Sequence, residues 1–230
     1  MSDLKKPNLS EMCPPGYHIV RGHERTCHSG TVTWVDAHVR KNRNKIKPGL
    51  LIENIHYLFW NSKTKYPALK QIPKYPQGDQ YDDLIQFWLD YWKAEGLTFP
   101  ADLDPLMVKA LISVESDFDP NAESTDPDST AAGLMQVTDQ SLRVLGGFPN
   151  KKKWIEARKH LIHVTNKDKF DPVVSVALGT RLLAHKFSQI PKRYPKNTKG
   201  MMIGYHSFDK AGEEYVEKVL SRYEAARKKK

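Results

Sequence analysis

The apolar positions change rhythm near residue 49. Before it, two short β-branched and aromatic stretches, "YHIVRGHER" and "TVTWVDAHV", flank "TCHSG". Stretches of this kind around a glycine-bearing turn predict a β-hairpin over residues 17–40, with Gly30 at the turn. The first 16 residues, punctuated by proline, predict an extended arm. Everything after Pro48 reads as helical. "LLIENIHYLFW" is one candidate helix, and a linker holding Pro67, Pro73 and Pro76 follows. "YDDLIQFWLDYWKAEG" then sets Leu84, Phe87, Trp88, Tyr91 and Trp92 at helical spacing, with Gly96 as the stop. Asp104 and Pro105 form an N-cap and first-turn pair for "PLMVKALISVES". Further helices are predicted over 137–145, 151–160, 171–188, 198–207 and 210–228. The expected architecture is mainly α, with a small β module over 1–48 and a helical domain over 49–230.

The 230 residues are enough to bury a core, and 39% apolar with 10% aromatic residues argues for a folded globule. The longest apolar run, "GLLIENIHYLFW", is interrupted by Glu53, Asn54 and His56 and falls short of the ~18 residues of a membrane span. The first 17 residues lack the apolar core of a signal peptide. The aromatic row of residues 84–92 suits either a sugar-stacking surface or the core.

A net charge of +9 favours anionic partners, but the charge is unevenly placed. "RKNRNKIK" carries Arg40, Lys41, Arg43, Lys45 and Lys47, and the chain ends in Arg227, Lys228, Lys229 and Lys230. Asp102 to Asp128 runs the other way, with eight acids against Lys109 alone. An enzyme of nucleic acid would rarely put its densest acidic stretch at its most suggestive motif, so nucleic acid is set aside as a partner. Cys13, His18, His23, Cys27 and His28 form a loose cluster. It allows zinc, a Cys13–Cys27 disulfide or two free thiols, and its spacing fits no standard zinc site.

The suggestive motif is "VESDFDP", with "AAGLMQVT" shortly after it. Glu115 ends an apolar helical run behind Leu111, Ile112 and Val114. Helix-end carbonyls and apolar neighbours both disfavour its ionised form, which suits a general acid, whereas a solvated helix-end glutamate would do nothing. Asp117, Asp119, Asp126 and Asp128 follow.

"ESDFDPNAES" followed by "AAGLMQVT" resembles the signature of soluble-type lytic transglycosylases and their goose-type lysozyme relatives. The matching positions are Glu115, Ser116, Phe118, Pro120, Ala122, Ser124, Gly133, Leu134, Met135 and Gln136. "DPVVSVALGTRLLAHKF" is similar to the family helix whose glycine, here Gly179, packs closely under the site. "IGYHSFDKAGEEYVEKVL" is similar to the closing segment with its two tyrosines, here Tyr205 and Tyr215. The resemblance covers roughly residues 100–225 and departs twice. The chain between Ser124 and Gly133 is longer than usual, and His206 stands where the family has asparagine.

The resemblance implies a lysozyme-like helical fold and cleavage of the β-1,4 bond between N-acetylmuramic acid and N-acetylglucosamine in peptidoglycan glycan strands. It makes Glu115 the catalytic acid and implies neither cofactor nor metal. Ser124, Gln136, Tyr205, Ser116 and Tyr215 are the candidate substrate-binding residues. Ser116 alternatively serves the backbone, Met135 forms the wall, and Tyr205 either bonds Glu115 or is a buried structural tyrosine. A transglycosylase needs one carboxylate; a hydrolase would add Asp126, Asp128 or Asp117 to position water. Without a visible leader, an enzyme of the periplasmic wall implies synthesis in the cytoplasm. It would then be delivered as an antibacterial effector, with an immunity protein or a secretion-machine component as partner, or released as a phage endolysin. A non-catalytic wall-binding protein is a further alternative, and a nucleic-acid-binding protein, resting on charge alone, is the third.

Overall fold

The computed structural model describes residues 4–28, 30–42, 49–150 and 152–228. In chain order, strands β1 (Tyr17–Val20), β2 (His23–Thr26), β3 (Val32–Val35), β4 (His38–Lys41) and β5 (Gly49–Leu51) precede helix α1 (Ile52–Trp60). Helices α2 (Asp82–Ala94), α3 (Pro105–Ser116) and α4 (Asp139–Leu145) follow. Strand β6 (Leu161–His163) comes next, and then α5 (Pro172–Ser188), α6 (Thr198–His206) and α7 (Lys210–Lys228). The chain is thus mainly helical behind a small hairpin.

The hairpin is one ladder in two pieces. β1 pairs with β4 and β2 with β3, antiparallel, and both pieces share a register in which Val20 faces His38 and His23 faces Val35. Gly30 sits at φ +80°, a conformation open to glycine at little cost, and Cys27 N–H donates to Thr31 O at 2.8 Å to close the turn. The base is stitched to α1: Asn54 Nδ2 donates to the carbonyls of Cys13, Pro14 and Tyr17, and Ile19 N–H donates to Glu53 Oε1 at 3.2 Å. Cys13 is buried there with a free thiol, and Cys27 is free as well, so no disulfide pins the arm. Burial beside Glu53 pushes the Cys13 thiol up to about 11. Among the described residues no three histidine, cysteine or carboxylate groups converge as metal ligands. The basic positions Arg43, Lys45, Lys47, Lys229 and Lys230 lie outside the described residues.

Two stretches differ from the pattern. Residues 49–51, expected to begin a helix, form β5 and pair in parallel with β6, Leu50 opposite Ile162. The helix expected over 151–160 does not form in its described part. Asn150 Oδ1 accepts the N–H groups of Lys152 and Trp154 at 2.8 and 3.1 Å, and Lys153 and His160 take φ +62° and +52°. A side-chain acceptor outcompetes the first helical turn, and left-handed residues end any continuation.

Helix α5 is the axis of the core. Val174, Val176, Ala177, Leu178 and Leu183 are fully enclosed, and Trp92 Nε1 on α2 donates to Ala177 O at 3.1 Å. The aromatic row of α2 is therefore core: Leu84, Trp88 and Trp92 are at most 1% exposed. Asp104 and Asp171 each precede a proline at the first helical position and cap α3 and α5 through Leu106 N–H and through Val173 and Val174 N–H. Lys109 on α3 is fully buried, its ammonium held by Asp79 at 2.6 Å and Asp82 at 2.7 Å. This ties the 3-10 turn Pro76–Tyr81 and the start of α2 to α3.

Candidate active site

Glu115 leaves the last turn of α3, and the chain then breaks sharply. Asp117 and Phe118 both take left-handed conformations, φ +50° and +66°. Two successive non-glycine residues in this region are strained and need fixed surroundings. Phe118 provides the anchor: it is 2% exposed and stacks on Tyr81 at 6.2 Å between ring centres. Gly78 accommodates the ring, since a β-carbon there would lie 2.5 Å from it. A pinned Phe118 fixes the start of the loop that follows Glu115.

The second wall is the turn around residues 131–138. Gly133, at φ +76°, lies so close to Lys169 that a β-carbon would come 1.9 Å from its carbonyl oxygen. Gly179 on α5 likewise makes room for Met135, whose sulfur would sit 2.2 Å from an added β-carbon. Ser175 Oγ accepts the Met135 N–H at 3.2 Å. The buried Lys169 ammonium donates to Thr130 O at 2.6 Å and to Asp139 Oδ1 at 2.7 Å, which fixes the loop before this turn. Sequence reasoning overlooked Lys169 and Ser175. The second lysine of "NKDKF" and a serine within an apolar helix carry no signal of contacts 30 to 40 residues away.

Of the two roles open to Tyr205, the bond to Glu115 goes instead to Tyr215. Tyr205 Oη donates to Met135 O at 2.7 Å and fixes the wall. Tyr215, on α7, donates to Glu115 Oε1 at 2.5 Å. The α3–α7 packing places a residue 100 positions away against the glutamate, which no local pattern encodes. Burial pushes Glu115 up to about 7, with the Tyr215 hydrogen bond acting in the opposite direction. Burial and the neighbouring Glu115 raise Tyr215 well above the ordinary tyrosine range, so it remains a donor. His206, at the asparagine position of the family pattern, is exposed and stacks on the Tyr215 ring at 5.2 Å, while its Nδ1 meets Ser207 Oγ at 3.0 Å.

The remaining candidates divide. Ser116 is buried, and its hydroxyl donates to Leu134 O at 2.9 Å and Ile112 O at 3.3 Å, so it joins the two walls and does not present a free group to a ligand. Gln136, half-buried at φ +44°, donates through Nε2 to the carbonyls of Ala122 and Gly133, both at 3.0 Å. Ser124, half-buried, accepts the Asp126 N–H at 3.2 Å. The aspartates mainly serve the loop. Asp119 accepts from Asn121 N–H, and Asp126 accepts from Asp128 N–H at 3.0 Å. Asp117 lies 3.8 Å from the Arg222 guanidinium. The arrangement therefore offers one half-buried carboxyl of raised proton affinity facing one tyrosine hydroxyl, with acids of the flanking loop exposed to water.

A family model described as the transglycosylase SLT domain matches residues 91–230. No curated protein matches the chain. Among solved structures, the 70 kDa soluble lytic transglycosylase SLT70 of Escherichia coli is similar at 14% identity and a TM-score of 0.42. The match covers 76% of this chain and 30% of that one, so the chain spans under a third of that enzyme's length.

Proposed function

The chain belongs to the transglycosylase SLT domain family, and on that premise we propose that it is a lytic transglycosylase of peptidoglycan with Glu115 as its acid and base. Protonated Glu115 donates to the glycosidic oxygen between N-acetylmuramic acid and N-acetylglucosamine as the bond from the muramoyl C1 breaks. The substrate's own acetamido oxygen stabilises the electron-poor C1, so no second carboxylate is required. The Glu115 carboxylate then accepts the proton of the muramoyl primary hydroxyl, whose oxygen bonds to C1 and closes an anhydro ring. The same residue ends the cycle protonated.

The observation that supports this reading is the half-buried Glu115 with its Tyr215 hydrogen bond at 2.5 Å. A group titrating near 7 can both give and recover a proton at neutral pH. Ser124 and Gln136, on the two sides of the loop, are the side chains we assign to the sugar's acetamido and hydroxyl groups. Hydrolysis by the same acid is the second reading, and the exposed Asp126 and Asp128 are what favour it. Mass spectrometry of digested cell walls separates the two. Anhydromuramoyl ends as the main product support transglycosylation; reducing-end muramic acid overturns it in favour of hydrolysis. Loss of both products in Glu115→Gln is expected in either case.

A further inference from the structure

On the side of α5 away from Met135 and Gly179, an open groove runs between the end of α2 and the irregular segment that precedes β6. Glu95, Gly96, Arg158, Lys159, Arg181 and Lys196 line it, with His160, His185 and Glu156. Its floor holds Arg181, only 5% exposed. Arg181 donates from Nε to His160 O at 3.1 Å and from Nη2 to Lys159 O at 3.2 Å. These bonds use two of the five guanidinium hydrogens and fix its plane. Among the described residues no carboxylate lies within ion-pair distance of it. A buried cation without a counter-ion is unusual, because removing the charge from water is compensated only by pairing. Desolvation alone lowers Arg181 to about 10, still charged at neutral pH.

The two acids of the groove do not supply the missing charge. Glu95 faces His160 at 3.7 Å. Glu156 accepts from His185 Nε2 at 3.3 Å, from Asn150 at 2.7 Å and from Gln189 at 3.2 Å. Arg158 and Lys159 are exposed on the rim and have no acidic partner among the described residues. Lys196 donates to Phe187 O and lies 4.6 Å over the Phe187 ring, which holds its ammonium at the edge of the groove.

We propose that this groove is a binding site for a phosphate group, held by the free edge of the Arg181 guanidinium and the cations of Arg158, Lys159 and Lys196. A phosphate fits better than a carboxylate, because a dianion with three acceptor oxygens matches a fixed fork backed by several cations. The site stands apart from Glu115 and does not depend on the reaction assigned to it.

Calorimetric titration of the full chain with inorganic phosphate at low salt tests the site, with acetate at equal ionic strength as the reference. Saturable phosphate binding, clearly tighter than acetate, is expected. Arg158→Ala/Lys159→Ala leaves intact the main-chain carbonyl that Arg181 uses, so the fold should hold while phosphate affinity falls about tenfold or more. Arg181→Lys keeps the charge, loses the fork and should weaken phosphate more than acetate. Glycerol 3-phosphate in solution, set against vesicles containing phosphatidic acid, tells a soluble ester from a membrane headgroup; tight binding of either supports the site. Absence of saturable binding, or equal phosphate affinity in wild type and in both folded variants, overturns it.

Discussion

Trp88 and Trp34 mark the two ways in which this chain uses its aromatic residues. Trp88 is fully enclosed in α2, flanked by Phe87, Tyr91 and Trp92 at ring separations of 5.0 to 5.7 Å. Trp34, on the hairpin, is 64% exposed and rests on Gly22, where a β-carbon would come within 2.9 Å of its ring. The helical body closes a core around α5, whereas among the described residues the hydrogen bonds that join the hairpin to that body lie at its base. A two-stranded ribbon is marginal on its own, so the bonds of Asn54 and Glu53 to its base hold it in place. The strained residues that shape the candidate site, Asp117, Phe118 and Gln136, all belong to the helical body and not to the hairpin.

The largest test of that contrast is Glu115→Gln. Turbidity clearing of purified walls should fall by about 10²-fold to 10⁴-fold, the usual range for a positioned acid and base. Stability should move the other way. With the folded-state value raised from 4.5 to about 7, native protein holds a proton that unfolded protein releases. The contribution of Glu115 is therefore most favourable below about 4.5 and is lost as pH rises through about 7. Glutamine escapes that loss, so the variant should be the more stable protein at pH 8, by at most roughly 3 kcal/mol, and the advantage should vanish near pH 4. Thermal melts at both pH values read this directly, and equal pH dependence of the two proteins would remove the buried-acid account.

Next in size is Gly133→Ala. The added carbon meets a main-chain carbonyl at 1.9 Å in a left-handed conformation, so neither partner can yield cheaply. Chemical denaturation should show a loss of more than about 2 kcal/mol, together with lost activity. A fully stable variant would mean that the wall around Met135 is less confined than its packing indicates.

Tyr215→Phe should act more subtly. It removes the one interaction that lowers the Glu115 value, so the alkaline limb of kcat/KM should move to higher pH. A limb that stays in place, with folding intact, would show that Tyr215 does not set the proton affinity of Glu115. In the acidic loop, Asp126→Asn and Asp128→Asn should each change clearing by less than about threefold if no positioned base is involved. A folded but inert Asp126 or Asp128 variant would instead favour hydrolysis.

The smallest stability effect belongs to the hairpin. Trp34→Ala should change the stability of the body by no more than about 0.5 kcal/mol, because the ring faces water. If the hairpin contacts the wall, sedimentation with purified peptidoglycan should weaken in the same variant. A large loss of stability would end the division between an enclosed body and a peripheral ribbon.

Local chemistry made much of this fold readable from the chain. Periodicity marked α2 and α5, the Asp–Pro pair marked the start of α3, and Gly30 marked the hairpin turn, since each reports a preference settled within a few residues. The motif around Glu115 was equally plain, and the apolar neighbours of that residue implied its raised proton affinity. Asn150 was not legible as a helix breaker, because capturing two N–H groups depends on a side-chain rotamer. The pairing of β5 with β6 joins segments more than a hundred residues apart, and three-residue strands carry almost no pattern. Which tyrosine meets Glu115 was decided by the packing of α7 on α3, and Arg181 became a buried cation only because the segment before β6 folds over it. The sequence determined most of the elements and singled out the candidate reactive group; the tertiary structure decided that group's partners, because hydrogen bonds and desolvation act through space, between residues whose separation along the chain bears no relation to their distance.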